Sequence, residues 1–286
     1  MPESRSIADT LREASQTLQA AGVPEPRREA GSLLSFVIER DRTFLISHAE
    51  DLLDDTGVVR FRDAVSRRAE GEPLQYITGV QDFYGREFRV TPDVLIPRPE
   101  TELLVEAGLE LIANVPRPFI CDVGTGSGCI ALTLLCERTD ARAVAVDVSE
   151  AALKVAAQNA QLLGVGERVE FKISDCFSGL ERTTFDLIVS NPPYVSAAAL
   201  AGLQREVRDH EPLVALSPGA DGLIIIRRLL QDGAAFLNAG GHLIMEIGFD
   251  QGEAVQEVID PAIWRLVEIR PDLQGIPRIV VVQKLS

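Results

Sequence analysis

The feature that most constrains this chain is a series of short apolar segments, each one strand long, separated by helical stretches. Phe119 to Val123, Ala143 to Val146, Val169 to Ile173, Phe185 to Val189 and Leu243 to Ile247 make up the series. Short apolar runs suit strands buried on both faces, and strand–helix alternation joins parallel neighbours by crossovers. A doubly wound, mostly parallel α/β sheet covered by helices is therefore expected. Two last strand candidates, Trp264 to Ile269 and Ile279 to Val282, are separated by a Pro- and Gly-containing loop and no helix. They are expected to form an antiparallel pair at the end of the sheet, with Trp264 and Phe185 in the core.

The first seventy residues lack strand-like alternation. Ile7, Leu11, Ala14, Leu18 and Ala21 follow one helix face, and Ala30, Leu33, Leu34, Val37 and Ile38 start a second after Pro24 and Pro26. Val58, Phe61 and Val65 mark a third, ending in the charged run Arg67 to Glu70. A small helical bundle is the expectation. From Gly71 the pattern changes. Phe83 to Val90 alternates, and Pro92-Asp93 supplies a turn signal before Val94-Leu95-Ile96, so a β-hairpin is expected between bundle and sheet.

A length of 286 residues allows one large domain or two modest ones. No apolar run approaches the ~20 residues needed to span a bilayer, and Met1 to Thr10 lacks the apolar core of a secretory signal. Cys121, Cys129, Cys136 and Cys176 are too few for a disulfide scaffold and wrongly spaced for structural zinc, which favours a reducing cytoplasm. His48, His210 and His242 show no metal spacing, and no metal is expected. The net charge of −15 repels phosphate backbones at long range and disfavours a duplex DNA binder.

Asp122-Val-Gly-Thr-Gly-Ser-Gly128 directly follows the first apolar strand and precedes a helix. Glycines allow a sharp turn and close ligand approach, and the helix N-terminus favours negative charge. Cys129 stands where a dinucleotide fingerprint has its third glycine, and Cys129-Ile130 cannot serve as the Lys-Ser/Thr of a P-loop. D-x-G-x-G-x-G instead resembles motif I of class I S-adenosylmethionine-dependent methyltransferases. In that family the loop wraps the methionine part of the cofactor. Asp147, ending the next strand, can accept both ribose hydroxyls of an adenosine, and Asp175 resembles the position that contacts adenine.

The fourth strand ends in Asn191-Pro192-Pro193-Tyr194. Ligands bind at the carboxyl ends of strands in such sheets, so this tetrapeptide is expected to face the cofactor. The Asn191 side-chain oxygen and the Pro192 carbonyl can accept from one ligand NH₂ group, while Tyr194 offers a flat face to a planar amide or base. Two acceptors on an amide nitrogen polarise it toward a nucleophile and stabilise its developing charge. Alignment with a methyl sulfonium then carries much of the rate, with no free base required before attack.

N-P-P-Y at this place is shared by methyltransferases of adenine N6, guanine N2 and protein glutamine. Ile96-Pro-Arg-Pro-Glu-Thr-Glu102, Gly71-Glu-Pro-Leu-Gln-Tyr-Ile-Thr-Gly79 and Phe83-Tyr84-Gly85 resemble the release-factor glutamine methyltransferase family (HemK/PrmC). Glu211 to Leu216 and Glu246-Ile247-Gly248 fit it too, so the resemblance covers nearly the whole chain. It implies a class I methyltransferase (Rossmann-like) domain over residues 98–286, a hairpin linker over 76–97 and a substrate-recognition bundle over 1–75. It further implies S-adenosyl-L-methionine as cofactor and class I peptide chain release factors as partners, whose Gly-Gly-Gln glutamine is methylated on its amide nitrogen. Carried over by position, cofactor contacts are Gly124, Thr125, Gly126, Ser127, Gly128, Asp147, Asp175, Cys176 and Asn191. Substrate contacts are Asn191, Pro192, Pro193 and Tyr194, with Asn191, Pro192 and Tyr194 acting in catalysis. Cys176 departs from the aromatic or larger apolar residue of many relatives. Arg98 and Glu100 are expected either to close over the cofactor or to cap the helix that follows. A cytoplasmic monomer without nucleic-acid binding is expected. The alternatives are a methyltransferase of a ribosomal-protein glutamine or of a nucleic-acid exocyclic amine, and a non-catalytic module that kept the fold.

Overall fold

A computed structural model describes residues 5–181 and 183–285. The chain divides into two compact units: Met1–Val80 with Gln204–His210, and Gln81–Leu203 with Glu211–Ser286.

The first unit is helical: α1 (Ile7–Ala20), α2 (Pro26–Ile38), α3 (Arg42–Ser47), α4 (Asp55–Ala69) and α5 (Leu74–Thr78). Ser6, Asp41 and Asp54 start α1, α3 and α4 by accepting a first-turn N–H that has no partner within the helix. The expected apolar faces meet in one core through Ile7, Ala14, Leu18, Ala30, Leu33, Leu34, Val37, Phe61 and Val65. Ala21, expected on the first face, is exposed. The charged run at the end of α4 is not wholly solvated. Arg68 is buried and pairs with Glu29 of α2 and with Glu206, while Arg67 chelates Glu72. Glu206 lies on α9 (Arg205–His210), a segment from the far half of the chain that this unit incorporates.

Among the described residues, the second unit carries seven strands in one sheet. In chain order they are β3 (Phe119–Val123), β4 (Arg142–Asp147), β5 (Val169–Ile173), β6 (Phe185–Ser190), β7 (Leu237–Glu246), β8 (Trp264–Pro271) and β9 (Pro277–Lys284). The spatial order is β5-β4-β3-β6-β7-β9-β8, parallel from β5 to β7 and antiparallel at β7–β9–β8. This is the expected mostly parallel sheet with an antiparallel end. Alternate residues feed two cores. Ile120, Leu187, Val189, Ile279 and Val281 pack with α6 (Glu102–Leu111) and α7 (Cys129–Glu137). Cys121, Ile188, Met245, Val280 and Trp264 pack with α11 (Ile224–Gly233) and α12 (Gly252–Val258). Two further α-helices are α8 (Glu150–Leu162) and α10 (Leu213–Leu216). Phe185 and Trp264 are buried, and the Trp264 indole donates to the Leu230 carbonyl at 2.9 Å.

Two details differ from expectation. The small hairpin pairs β1 (Val80–Phe83) with β2 (Arg86–Arg89), and its turn is Tyr84-Gly85, not Pro92-Asp93. Both turn residues have positive φ, 50° and 69°, the two-residue geometry that matches strand twist. Val94 to Ile96 form no strand, because the Ile96 N–H is taken by the Glu211 carboxylate. Strand β7 begins six residues earlier than its apolar core at Leu243. The β6–β7 register jumps from Phe185–Leu237 to Leu187–His242, so Gly240-Gly241 are absorbed as an irregularity in the strand. No helix among the described residues is long and apolar enough to cross a membrane.

Leu33 is fully buried between helices, whereas Ile46 is 73% exposed. Leu33→Ala is expected to destabilise the protein by about 2–5 kcal/mol. Ile46→Ala should stay within about 0.5 kcal/mol of wild type. Guanidinium denaturation of both variants checks this, and equal midpoints would contradict the packing described here.

Candidate active site

Strands β3 and β6 are parallel neighbours, pairing Ile120 with Leu187, Cys121 with Ile188 and Asp122 with Val189. The loop after β3 and the loop after β6 therefore leave the sheet side by side, where the strand order reverses. The Ser190 hydroxyl, fully buried, donates to the Val123 carbonyl at 2.7 Å and locks one loop root to the other.

The loop after β3 is bound to the end of β4. The N–H groups of Gly124 and Thr125 both donate to the Val146 carbonyl, at 2.9 and 3.0 Å. The Gly126 N–H reaches Asp147 Oδ2 and the Ser149 N–H reaches its Oδ1, each at 2.9 Å. Gly124 and Gly126 have φ of 75° and 56°, and a Cβ at either would meet nothing within 4 Å. Their glycine character thus serves the backbone turn and leaves open space above it. Gly128 differs. At φ 84° its Cβ would lie 2.8 Å from Leu132 and 3.2 Å from Ala156, so it lets α7 start against α8. Asn159 on α8, buried, donates to the Ser127 and Arg89 carbonyls and accepts the Arg89 N–H, fastening the loop to β2.

These loops wall a cavity of about 370 Å³ at the carboxyl end of the sheet. Gly124, Thr125, Gly126, Ser127, Asp147, Asp175, Cys176, Asn191, Pro192 and Pro193 all line it; Gly128 and Tyr194 do not. Asp175 lies at the cavity with its carboxylate held at 2.7 Å by Arg228 of α11. Cys176 adopts φ 51°, a conformation unusual for a residue with a Cβ, and Ser174 pins its carbonyl at 2.7 Å. Burial raises the thiol pKa of Cys176 and pushes that of Cys129 up to about 12, so both present small apolar surfaces rather than thiolates.

Tyr194 turns inward. Its hydroxyl donates to Glu246 Oε1 at 3.0 Å, and burial together with that carboxylate raises its pKa. Glu246 ends β7, is buried, and its Oε2 accepts the Thr101 hydroxyl at 2.6 Å. Thr101 in turn accepts from Asn191 Nδ2 at 3.1 Å. The Tyr194 carbonyl accepts from Gln251 at 3.1 Å. Prolines cannot donate, so the Asn-Pro-Pro-Tyr loop is held through its side chains and its last carbonyl. Arg98 neither caps α6 nor stands free. It pairs with the buried Glu211, which also accepts the Ile96 N–H, and it lines the cavity with Val214, Ala215, Ser217 and Pro218. Thr101 and Glu246 stand within segments that resemble the family, but no local pattern announced their mutual contact.

A Gly-turn cradle, a strand-end carboxylate and an Asn-Pro-Pro wall around one cavity define a methyltransferase of the class I fold. Residues 9–79 match the profile of the PrmC N-terminal domain and residues 101–207 that of the methyltransferase small domain. A methyltransferase structure from Pyrococcus furiosus superposes with a TM-score of 0.52 at 15% identity, covering 78% of this chain and 99% of that one. Among curated proteins, the release factor glutamine methyltransferases of Koribacter versatilis and Cereibacter sphaeroides are each 46% identical. They cover 93% and 96% of this chain and 94% and 96% of their own lengths. The chain belongs to the release factor glutamine methyltransferase family.

Asp122 lies under the cradle, fully buried. Its Oδ2 accepts from Thr125 and from the Ala131 N–H, while its Oδ1 has no hydrogen-bond partner among the described residues. Burial pushes the carboxyl up to about 7, the Asp147 charge adds to this, and the two donors oppose it. The unfolded chain loses this proton from about pH 4, the folded chain only near 7. The contribution of Asp122 to stability therefore declines as pH rises across that window and is level above it. Asp122→Asn removes the decline. Calorimetric melting of both proteins should show the variant gaining on wild type between pH 5 and about 7.5; a constant difference would refute this assignment.

Proposed function

We propose that this protein methylates the side-chain amide nitrogen (N5) of the glutamine in the Gly-Gly-Gln motif of class I peptide chain release factors. S-adenosyl-L-methionine is the donor and S-adenosyl-L-homocysteine the product. One observation carries the reading: the glycine cradle and Asn191-Pro192-Pro193 wall the same cavity from adjacent strand ends. The activity for which relatives that match almost end to end are named supports the choice of substrate.

The cavity residues fit the donor. The space above Gly124 and Gly126 lets a ligand rest on backbone. The two Asp147 oxygens each accept one backbone N–H and retain capacity for the hydroxyls of a ribose. Ser174, Asp175 and Cys176 border the place for adenine. When bound, this cofactor supplies a methyl group on a sulfonium, an electrophile that needs no acid assistance to leave.

The chain's own residues supply position and polarity. Asn191 Nδ2 is committed to Thr101, leaving Oδ1 as an acceptor. With the Pro192 carbonyl it takes both protons of the glutamine NH₂ and draws electron density toward nitrogen. The same two acceptors stabilise positive charge on that nitrogen as its bond to carbon forms, and one of its two protons then leaves to solvent, giving the neutral N-methyl amide. Pro192 and Pro193 restrict the backbone, so the acceptors are set before substrate arrives. Tyr194 contributes by anchoring the loop through Glu246, with the planar amide packing against the tetrapeptide.

The bundle over residues 1–75 serves as the grip on the release factor away from its glutamine loop. Exposed Ile46, Leu52 and Val59 offer apolar contact on its surface. The protein works as a cytoplasmic monomer, where translation factors are found, without binding nucleic acid; the −15 charge agrees with the last point.

Purified enzyme, labelled S-adenosylmethionine and an unmethylated release factor, read by peptide mass spectrometry, test the core of this. One methyl on the Gly-Gly-Gln glutamine is expected, lost when that glutamine is changed. Asn191→Ala should lower turnover by at least about a hundredfold, a loss of some 2.7 kcal/mol of transition-state stabilisation, while cofactor affinity by calorimetry falls far less than turnover. Label appearing instead in a ribosomal protein or in RNA would keep the methyltransferase and discard the substrate.

For the bundle, Ile46→Glu with Val59→Glu is expected to raise KM for the intact factor several-fold. Turnover of a short Gly-Gly-Gln peptide should be unchanged. An unaltered KM for the intact factor would remove these residues from the docking surface.

A further inference from the structure

Glu246 and Thr101 are both buried, with 2% of their surface exposed, and both are polar. Their hydrogen bonds have a fixed direction. An ionised carboxylate only accepts, and Glu246 stands between two hydroxyls, Tyr194 on Oε1 and Thr101 on Oε2. Thr101 has one proton, and it is spent on Glu246. Toward Asn191 the Thr101 oxygen can therefore only accept, and Asn191 must present Nδ2 to it. The amide of Asn191 is thereby denied its other orientation, in which two acceptor oxygens would face each other in a buried place. Burial raises the Glu246 pKa; the hydrogen bonds from Thr101 and Tyr194 and the charge of Arg278 oppose that rise and favour the ionised form on which this direction depends, whereas the Glu100 charge adds to it.

We propose that Glu246, acting through Thr101, is the positioning residue that turns Asn191 Oδ1 toward the cavity and so makes the site prefer a substrate that donates, an amide, over one that accepts, a carboxylate. This rests on the glutamine reading above. Glutamine and glutamate differ in shape very little; they differ in whether the terminal group carries protons. A site with two acceptors aimed at that group binds the amide and repels the carboxylate. A site whose Asn191 is free to flip loses part of both effects. Tyr194, on the other oxygen of the same carboxylate, ties the loop's last residue to the same anchor.

Thr101→Val removes the hydroxyl at nearly constant volume, and Thr101→Ser keeps it. The full-length proteins are assayed for cofactor affinity, for kcat and KM on a Gly-Gly-Gln peptide, and for the ratio of binding constants of Gly-Gly-Gln and Gly-Gly-Glu peptides. Thr101→Val is expected to lower kcat by about ten- to a hundredfold, the scale of one lost buried hydrogen bond to a reacting position. Cofactor affinity should stay within about threefold, and the Gln-over-Glu ratio should fall by tenfold or more. Thr101→Ser should restore most of both. Glu246→Gln, which can donate as well as accept, should also reduce the ratio. A Thr101→Val protein with normal discrimination would overturn the proposal, even if kcat fell. If wild type methylates no glutamine at all, the substrate reading fails by itself. The positioning claim is then judged by the Asn191 side-chain NH₂ signals in ¹⁵N NMR, which must shift in both Thr101→Val and Glu246→Gln or it fails too.

Discussion

The pairing of β3 with β6 is the constraint on which the site depends. These strands are 62 residues apart from Val123 to Phe185, yet they run side by side and in parallel register. Each ends in a loop that cannot do the chemistry alone. The first offers open backbone at Gly124 and Gly126, and the second offers the acceptors of Asn191 and Pro192. Strands β4 and β7 cover the two edges of this pair within the sheet, while α6 and α7 on one face and α11 and α12 on the other bury it in apolar residues. The Ser190–Val123 hydrogen bond then fixes the two loop roots at the scale of a single contact. A shift of one residue in this pairing would send every β6 side chain to the opposite face and swing the Asn191 loop away from the cradle.

Around that junction the protein buries more polar groups than packing alone would favour. Asp122, Thr101, Glu246, Ser190, Asn159 and Glu211 are all buried, and all have hydrogen-bond partners. Buried polar groups are costly when unpaired and specific when paired, because each admits few geometries. The expense falls where two loops without regular structure must hold a shape to a fraction of an ångström. The Arg98–Glu211 pair does the same for the segment that carries Val214 to Pro218 along the cavity. Preorganisation of this kind suits a reaction whose barrier is lowered chiefly by alignment.

What could be read from the chain followed local rules. The strand series, the antiparallel end, three apolar helix faces and the Gly-rich loop each announce themselves within a few residues. Of the ten expected positions that line the cavity, those of the glycine turn, Asp147 and the Asn-Pro-Pro segment also follow such rules, whereas Asp175 and Cys176 rest on the family resemblance. The hairpin turn was misplaced because Tyr84-Gly85 lacks the usual Asn-Gly signature, while Pro92-Asp93 carries a stronger turn composition. The early part of β7 escaped because Gly240-Gly241 break the apolar pattern, and a register shift absorbs them. Short α9 gives no periodicity from which its place beside Arg68 could be inferred. Tyr194 was expected at the cavity as a flat face. Its turn toward Glu246 depends on a carboxylate 52 residues away.

By itself, then, the sequence determined the fold class, the order of its elements and the residue types of a cradle and an acceptor loop. These depend on periodicity, on glycine and proline stereochemistry, and on spacing, all of which act over one or two turns of chain. Only the tertiary structure decided which way Asn191 points, that Arg98 is spoken for by Glu211, and that Thr101 and Glu246 belong to the site. Those outcomes rest on hydrogen bonds between groups 90, 113 and 145 residues apart. A side chain carries no mark of its partner until the sheet closes and burial removes water as the alternative.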